Sequence, residues 1–225
     1  MKKVIQRIIN KDLKCIESLK NENIFVEFDE TNMMTARIGM IGPKTSLYEH
    51  ALLLFVIEFT KDYPFSPPTL HYVPQNNVRI HPNLYENGKV CLSFLGTWHG
   101  PKWTSVMDIS TILLSIQSLL DENPLRHEPG YEKIKGQVND DYNKIIEYNT
   151  INSLIINNYK NLPEVFYFLK DTYKKYLLKN KNDIVTKLEK NISFKKEIIS
   201  NVYRIRLNVD IYKLNSKFSD FISNI

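Results

Sequence analysis

The sequence predicts an α+β domain whose helices are segregated from an antiparallel sheet, followed by an extension built only of helices. Three observations carry this. Apolar spacing is helical over residues 4–20, turns into short β-type runs between residues 24 and 73, and becomes helical again after residue 105. Every glycine lies at or before Gly136, and Pro163 is the only proline beyond Pro129, so turn-forming residues are confined to the first part. Charge divides near the same place. Residues 1–130 carry 13 basic and 14 acidic groups and residues 131–225 carry 17 and 11, so the net charge of +5 belongs to the C-terminal part. The expected organisation is a core over 1–136 and a basic helical extension over 137–225.

Composition bounds the function. With 225 residues, 43% of them apolar and 12% aromatic, the chain can bury a sizeable core and is not disordered by composition. No stretch approaches the roughly 20 apolar residues that span a bilayer. Met1-Lys2-Lys3-Val4 runs directly into a charged periodic segment rather than a signal-peptide apolar block, so a cytoplasmic and also nuclear protein is expected. Cys15 and Cys91 are the only cysteines, which excludes a disulfide scaffold, and no Cys-x-x-Cys pair suggests structural zinc. The histidines at 50, 71, 81, 99 and 127 match no metal-ligand spacing. No metal and no cofactor are expected, and nucleic acid is not an expected partner.

Each element follows from local pattern. Ile5, Ile8, Ile9, Asp12, Ile16 and Leu19 recur at helical spacing with lysines between them, an amphipathic opening helix. Ile24 to Phe28 is a short strand. Met34, Ala36, Ile38 and Met40 alternate with Thr35, Arg37 and Gly39 in a second, which Gly42-Pro43 closes. Ala51 to Phe59 is nearly all apolar, a third strand buried on both faces, and Thr69 to Val73 is a fourth. Tyr63-Pro64-Phe65-Ser66-Pro67-Pro68 must be a rigid loop, because its prolines fit neither a helix nor a central strand. Residues 74–103 form a long, turn-rich excursion of the kind that often carries function. Ser105-Val106-Met107-Asp108 reads as a capping box before a helix bearing Ile109, Ile112, Leu113, Ile116, Leu119 and Leu120. Pro124 and Pro129 bracket a second loop. Three further helices are expected over about 138–160, 163–179 and 194–222, with the Asn- and Lys-rich tract 179–191 as a polar connection.

Cys91 is a residue that could carry chemistry, with a structural role as the alternative. It follows Asn87-Gly88-Lys89-Val90, a tight turn of the kind Asn-Gly favours. A free cysteine is commonly a buried small hydrophobe, and no helix N-terminus stands nearby to lower the thiol pKa. A cysteine hydrolase would need an imidazole as base and a third orienting group, and no rule of spacing selects a histidine for that task.

His81-Pro82-Asn83, with Cys91 eight positions after the asparagine, Tyr63-Pro64-Phe65-Ser66-Pro67-Pro68 upstream and Trp103 downstream, resembles a ubiquitin-conjugating enzyme. The order and spacing of these pieces is specific where each alone is weak. Asn76-Asn77-Val78-Arg79, Asn87 to Ser93, Gly96-Thr97-Trp98-His99-Gly100, Ser115 to Leu120, Glu122-Asn123-Pro124 and Glu128 to Glu132 are similar to the Z-type class. That class has an extra segment after the catalytic cysteine and a helical C-terminal extension. The core resemblance covers about residues 5–135.

The resemblance implies a conjugating fold: N-terminal helix, four-stranded antiparallel meander, long active-site loop and helices. It implies that Cys91 accepts ubiquitin, or a ubiquitin-like modifier, as a thioester from an ATP-consuming activating enzyme. The modifier then passes to a lysine amine of a target protein or to a ligase. Asn83 would stabilise the oxyanion or hold the catalytic loop. His127 would sit in the gate through which the acceptor lysine loses its proton, where the class typically has asparagine. Phe65 would contact ligases, with packing on Pro67 and Pro68 as the alternative. Lys2, Lys3, Arg7 and Lys11, with Lys14, match the helix on which the family docks its activating enzyme. Two departures stand out. Trp103 is followed by Thr104-Ser105-Val106 where the family reads Ser-Pro-Ala, and Tyr48-Glu49-His50-Ala51 replaces Tyr-Glu-Gly-Gly. The competing expectation is a catalytically inactive adaptor with this fold, whose basic C-terminal helices bind a partner.

Overall fold

The computed structural model describes residues 2–191 and 196–225. The chain falls into two compact units, one made of Met1–Ile41, Leu53–Pro74 and Asn83–Leu119, the other of Gly42–Leu52, Gln75–Pro82 and Leu120–Ile225. Residues 120–136 and two loop segments thus share a unit with the C-terminal region.

The opening helical run has four pieces: α1 (Lys2–Arg7), a π-helical turn (Ile8–Asp12), a 3₁₀ turn (Leu13–Cys15) and α2 (Ile16–Asn21). Val4, Ile8, Asp12 and Leu19 form its buried face. Four strands follow, β1 (Ile24–Phe28), β2 (Thr35–Ile41), β3 (Leu52–Glu58) and β4 (Thr69–Tyr72), in the sheet order β1-β2-β3-β4. This is the expected antiparallel meander, with Ile24 opposite Met40 and Phe55 opposite Tyr72. Alternation places Ala36, Ile38 and Met40 in the core, and the apolar run of β3 buries Leu52 through Phe55 and Ile57. The proline loop contains a cis Tyr63-Pro64 peptide. Its Pro64 carbonyl accepts from Trp103 Nε1 at 2.7 Å.

Helix α3 (Ile109–Leu119) buries Ile109, Ile112, Leu113 and Ile116. Its cap is Asp108 and not the expected Ser105. Asp108 Oδ1 accepts from Thr111 N at 3.2 Å and from the Ser110 hydroxyl at 2.5 Å. Ser105 lies in the preceding turn, because Arg7 Nη2 donates to the Ser105 and Met107 carbonyls at 3.4 and 2.9 Å and fixes that segment against the opening helix.

One buried carboxylate joins three distant segments of this unit. Asp12, 0% exposed, accepts from the Tyr63 hydroxyl at 2.7 Å and from Ile109 N at 3.0 Å. Burial raises its pKa above the ordinary carboxylate value, and the two hydrogen bonds offset only part of that.

In the second unit a 3₁₀ turn (Pro124–His127) precedes α4 (Gln137–Asn149), which continues through a π-helical turn (Thr150–Asn157) into α5 (Asn158–Lys160). This is the helix expected over 138–160. A 3₁₀ turn (Glu164–Leu169) leads into α6 (Lys170–Asn191). The tract 179–191, read from sequence as a polar connection, is therefore helical. Ile184 and Leu188 continue the buried face begun by Tyr173 and Leu177, while Lys179, Lys181, Asn182, Lys190 and the acidic Glu189 are exposed.

The last expected helix, 194–222, is not continuous. Phe194 lies outside the described residues, and from 196 the chain forms a hairpin, β5 (Lys196–Ser200) and β6 (Ile205–Val209), before α7 (Ile211–Ser223). Ile198, Ile205 and Val209 sit at helical spacing, yet they are buried from paired strands, and the turn between has Arg204 at a φ of 54°. Asp210 caps α7 by accepting from Lys213 N at 3.1 Å.

Side chains from α4 through α6 donate to main-chain carbonyls of the 47–52 segment and of Arg79. Tyr142 donates to the Arg79 carbonyl at 2.8 Å, Thr150 to Leu47 at 2.9 Å, Asn158 to Leu52 at 2.5 Å and Tyr173 to His50 at 2.7 Å. Among the described residues, no helix is long and apolar enough to cross a membrane.

Two outcomes follow. Asp12→Ala orphans the Tyr63 hydroxyl and the Ile109 N–H, and should lower stability by about 2 kcal/mol in urea unfolding, moving the midpoint at constant slope. An unchanged midpoint removes Asp12 from this joint. Cys15 donates its thiol to the Asp12 carbonyl at 3.0 Å, and burial, followed by the charges of Asp108 and Asp12, pushes its pKa up to about 11. At pH 8 roughly one thiol in a thousand is ionised. Alkylation of Cys15, followed by peptide mass mapping, should accelerate about tenfold per pH unit between pH 8 and 10.

Candidate active site

The excursion after β4 is organised by a tight turn. Tyr85 N donates to the Lys89 carbonyl at 2.9 Å, Gly88 N donates to Tyr85 at 3.0 Å, and Leu84 bridges Val90. Asn87 Oδ1 accepts from Lys89 N at 3.1 Å. Gly88 has a φ of 86°, and a Cβ there would stand 2.9 Å from the Tyr72 carbonyl, so the Asn-Gly signal marks a position that glycine alone fills without strain. Tyr72 N in turn donates to the Gly88 carbonyl at 2.9 Å, anchoring the turn to β4.

This turn explains the spacing of asparagine and cysteine. The two limbs bring Asn83 and Cys91 face to face, with Cys91 N donating to the Asn83 carbonyl at 2.9 Å. Asn83 Nδ2 donates back to the Cys91 carbonyl at 2.8 Å. The amide thus bonds the cysteine's own peptide. Beyond Cys91, Leu92 is pinned by Thr97, whose Oγ1 accepts from Leu92 N at 2.9 Å and donates to its carbonyl at 3.1 Å. Cys91 itself is 1% exposed. Lys89, two residues before it, points its Nζ over the Tyr85 ring, 5.4 Å from the centroid.

The other expected residues are placed as follows. Phe65 is 84% exposed, so packing against Pro67 and Pro68 does not hold. Lys2 and Lys3 are exposed. Arg7 is bound to the 105–107 carbonyls, and Lys11 contacts the Val106 carbonyl and pairs with Asp108 at 3.4 Å. In the second unit, His127 Nε2 bonds Asp121 Oδ2 at 2.9 Å, and its ring lies 5.2 Å from that of His81. Burial works to raise the Asp121 pKa, but the bonds from His127 and from Asn123 N–H hold it below the usual value.

Sequence reading passed over one cluster. His50 is 3% exposed with Nε2 at 2.7 Å from Asp183 Oδ2 and Nδ1 at 2.9 Å from the Tyr176 hydroxyl. Among the described residues, Glu49, His50 and Asp183 are the group close enough to share a cation, their ligating atoms lying within 4.8 Å. Lys187 already holds Glu49. The replacement of a glycine at position 50 was the signal, but the partners sit 126 and 133 positions away.

Comparison with known proteins bears directly on this turn. The human ubiquitin-conjugating enzyme E2 Z is 40% identical over 146 residues, 64% of this chain and 41% of its own. The zebrafish (Danio rerio) enzyme of the same name is 39% identical over 146 residues, again 64% of this chain and 44% of its own. The chain therefore spans about two fifths of the length of these relatives. A solved ubiquitin-conjugating domain from Toxoplasma gondii aligns over 52% of this chain and 77% of its own, at 27% identity and a TM-score of 0.43. The family model for ubiquitin-conjugating enzymes matches residues 8–150, which takes in the meander, the turn and the Asn83–Cys91 pair. The chain belongs to the ubiquitin-conjugating enzyme family, with Z-type enzymes among its relatives.

Proposed function

We propose that this chain carries ubiquitin, or a ubiquitin-like modifier, as a thioester on Cys91 and transfers it to lysine amines or to a ligase. The observation that carries the reading is the reciprocal pairing of Asn83 and Cys91 across the 85–89 turn, which fixes the cysteine in register with a side-chain amide. In the first step the Cys91 sulfur attacks the modifier's C-terminal carbonyl on the activating enzyme. A new C–S bond forms as the old one breaks, and the released thiol takes the proton that Cys91 gives up. In the second, a lysine amine attacks the same carbonyl, a C–N bond replaces C–S, and the departing thiolate collects a proton from the amine. ATP is spent upstream, so no cofactor is needed here. Phe65 is assigned to ligase docking through its exposed ring, and Lys2, Lys3 and Lys14 are exposed cations of the opening helix assigned to meet an activating enzyme. His127 acts on the gate loop through Asp121.

One observation favours the second reading, an inactive adaptor. Cys91 is 1% exposed, so transfer requires a movement that uncovers the sulfur. Incubation with an activating enzyme, ATP and ubiquitin separates the two. The transferase forms an adduct that a thiol reductant removes. Cys91→Ser forms an oxygen ester that resists the reductant, and Cys91→Ala forms none. If the unaltered chain forms no reducible adduct with any activating enzyme and modifier tested, the adaptor reading stands.

A further inference from the structure

His50 occupies a left-handed backbone. Its φ is 70°, the region that glycine adopts freely and other residues uncommonly, histidine among those that do. The imidazole is nevertheless almost fully buried, and both nitrogens are engaged. Asp183 offers only acceptors, so Nε2 carries the hydrogen, and Nδ1 of the neutral ring accepts from the Tyr176 hydroxyl. Burial, the largest influence on His50, favours that neutral form. The His50 carbonyl accepts from the Tyr173 hydroxyl at 2.7 Å, and the adjacent Glu49 is held by Lys187. Tyr173, Tyr176, Asp183 and Lys187 share one face of α6. Lys187 pairs with Glu49 and Asp183 accepts from Nε2–H, so these groups already partner one another, with the Asp183 carboxylate at the solvent side.

The turn held in this way carries Tyr48, which is 0% exposed. Its hydroxyl donates to the Ile80 carbonyl at 2.5 Å, and its ring lies 6.1 Å from that of His81. On the neighbouring residue, Tyr142 of α4 donates to the Arg79 carbonyl, and Arg79 Nε and Nη2 donate to the His81 and Pro82 carbonyls at 3.3 and 2.5 Å. From Pro82 the chain passes by one peptide bond to Asn83.

We propose that His50 is a positioning residue, clasping the 46–50 turn to α6 so that Tyr48 fixes the Ile80-His81-Pro82 segment leading into Asn83. The C-terminal helices are then part of the transfer machinery, acting through side-chain bonds to one loop. The catalytic consequence rests on the proposed roles of Asn83 and Cys91, and the structural consequence does not.

The test uses the full chain with His50→Gly, which suits the backbone and removes the ring, Asp183→Ala, which removes the acceptor of the Nε2–H, and the two combined. His81 imidazole signals are followed by NMR. Discharge of a pre-charged Cys91 thioester to free lysine is timed separately from charging. Each single variant should shift the His81 signals and slow discharge about tenfold while charging changes less than twofold. The double variant should be no slower than His50→Gly, since both cut one link. His50→Asn, which tolerates the left-handed backbone and can donate to Asp183, should recover part of the loss. Unmoved His81 signals, or effects of the two variants that multiply, overturn the proposal. A chain that never charges refutes the proposed function instead, and the His81 signals alone then decide the role of His50.

Discussion

A carboxylate shut away from water needs hydrogen bonds to be tolerated, and Asp12 gathers two on a single oxygen, Oδ1, from groups far along the chain, while its Oδ2 is buried without a partner. The opening helix, the proline loop and the start of α3 converge on it through Tyr63 and the Ile109 amide. The rest of the unit follows. With Tyr63 held inward, the next carbonyl, that of Pro64, is set to accept from Trp103, and Phe65 is turned outward. The exposed aromatic is thus a product of burial next to it.

The turn at 85–89 works on the same scale. Strand-like limbs have a period of two, so a slip of one residue would move Cys91 off Asn83 and reverse the facing of both. Glycine at 88, pressed against the Tyr72 carbonyl, prevents that slip by tying the turn to β4. The distance in sequence between asparagine and cysteine is therefore set by hydrogen-bond register, and family membership is the trace of that register.

What could be read from the sequence was whatever depends on neighbours in the chain. β1 runs from Ile24 to Phe28 as its pattern implies, the proline loop is a loop, and the Asn-Gly turn is where it should be. What could not be read depends on distant partners. Ser105 has the right spacing for a cap, but Arg7 claims its carbonyl, and Asp108 caps α3 instead. The stretch 196–209 has apolar residues at spacings that serve a helix or a hairpin, and its turn lacks the glycine that would have announced it. Tract 179–191 is polar in composition yet keeps Ile184 and Leu188 four residues apart, enough to seat a helix once another surface exists for them. In the candidate site, Asn83 and Cys91 were legible as a pair, whereas the meaning of His50 lay in helix α6, more than a hundred residues on.

The donors that reach from α4, the π turn, α5 and α6 to the carbonyls of Arg79, Leu47, Leu52 and His50 have a consequence for how such a protein can change over evolutionary time. A helical appendage joined by apolar contact alone could be lost, exchanged or grafted elsewhere, since water would cover what it leaves. Here each donor removed would take a hydrogen bond from a main-chain oxygen of the segments it reaches. A change on either side of these bonds is therefore felt on the other, which couples substitution in the extension to substitution in the segments it binds.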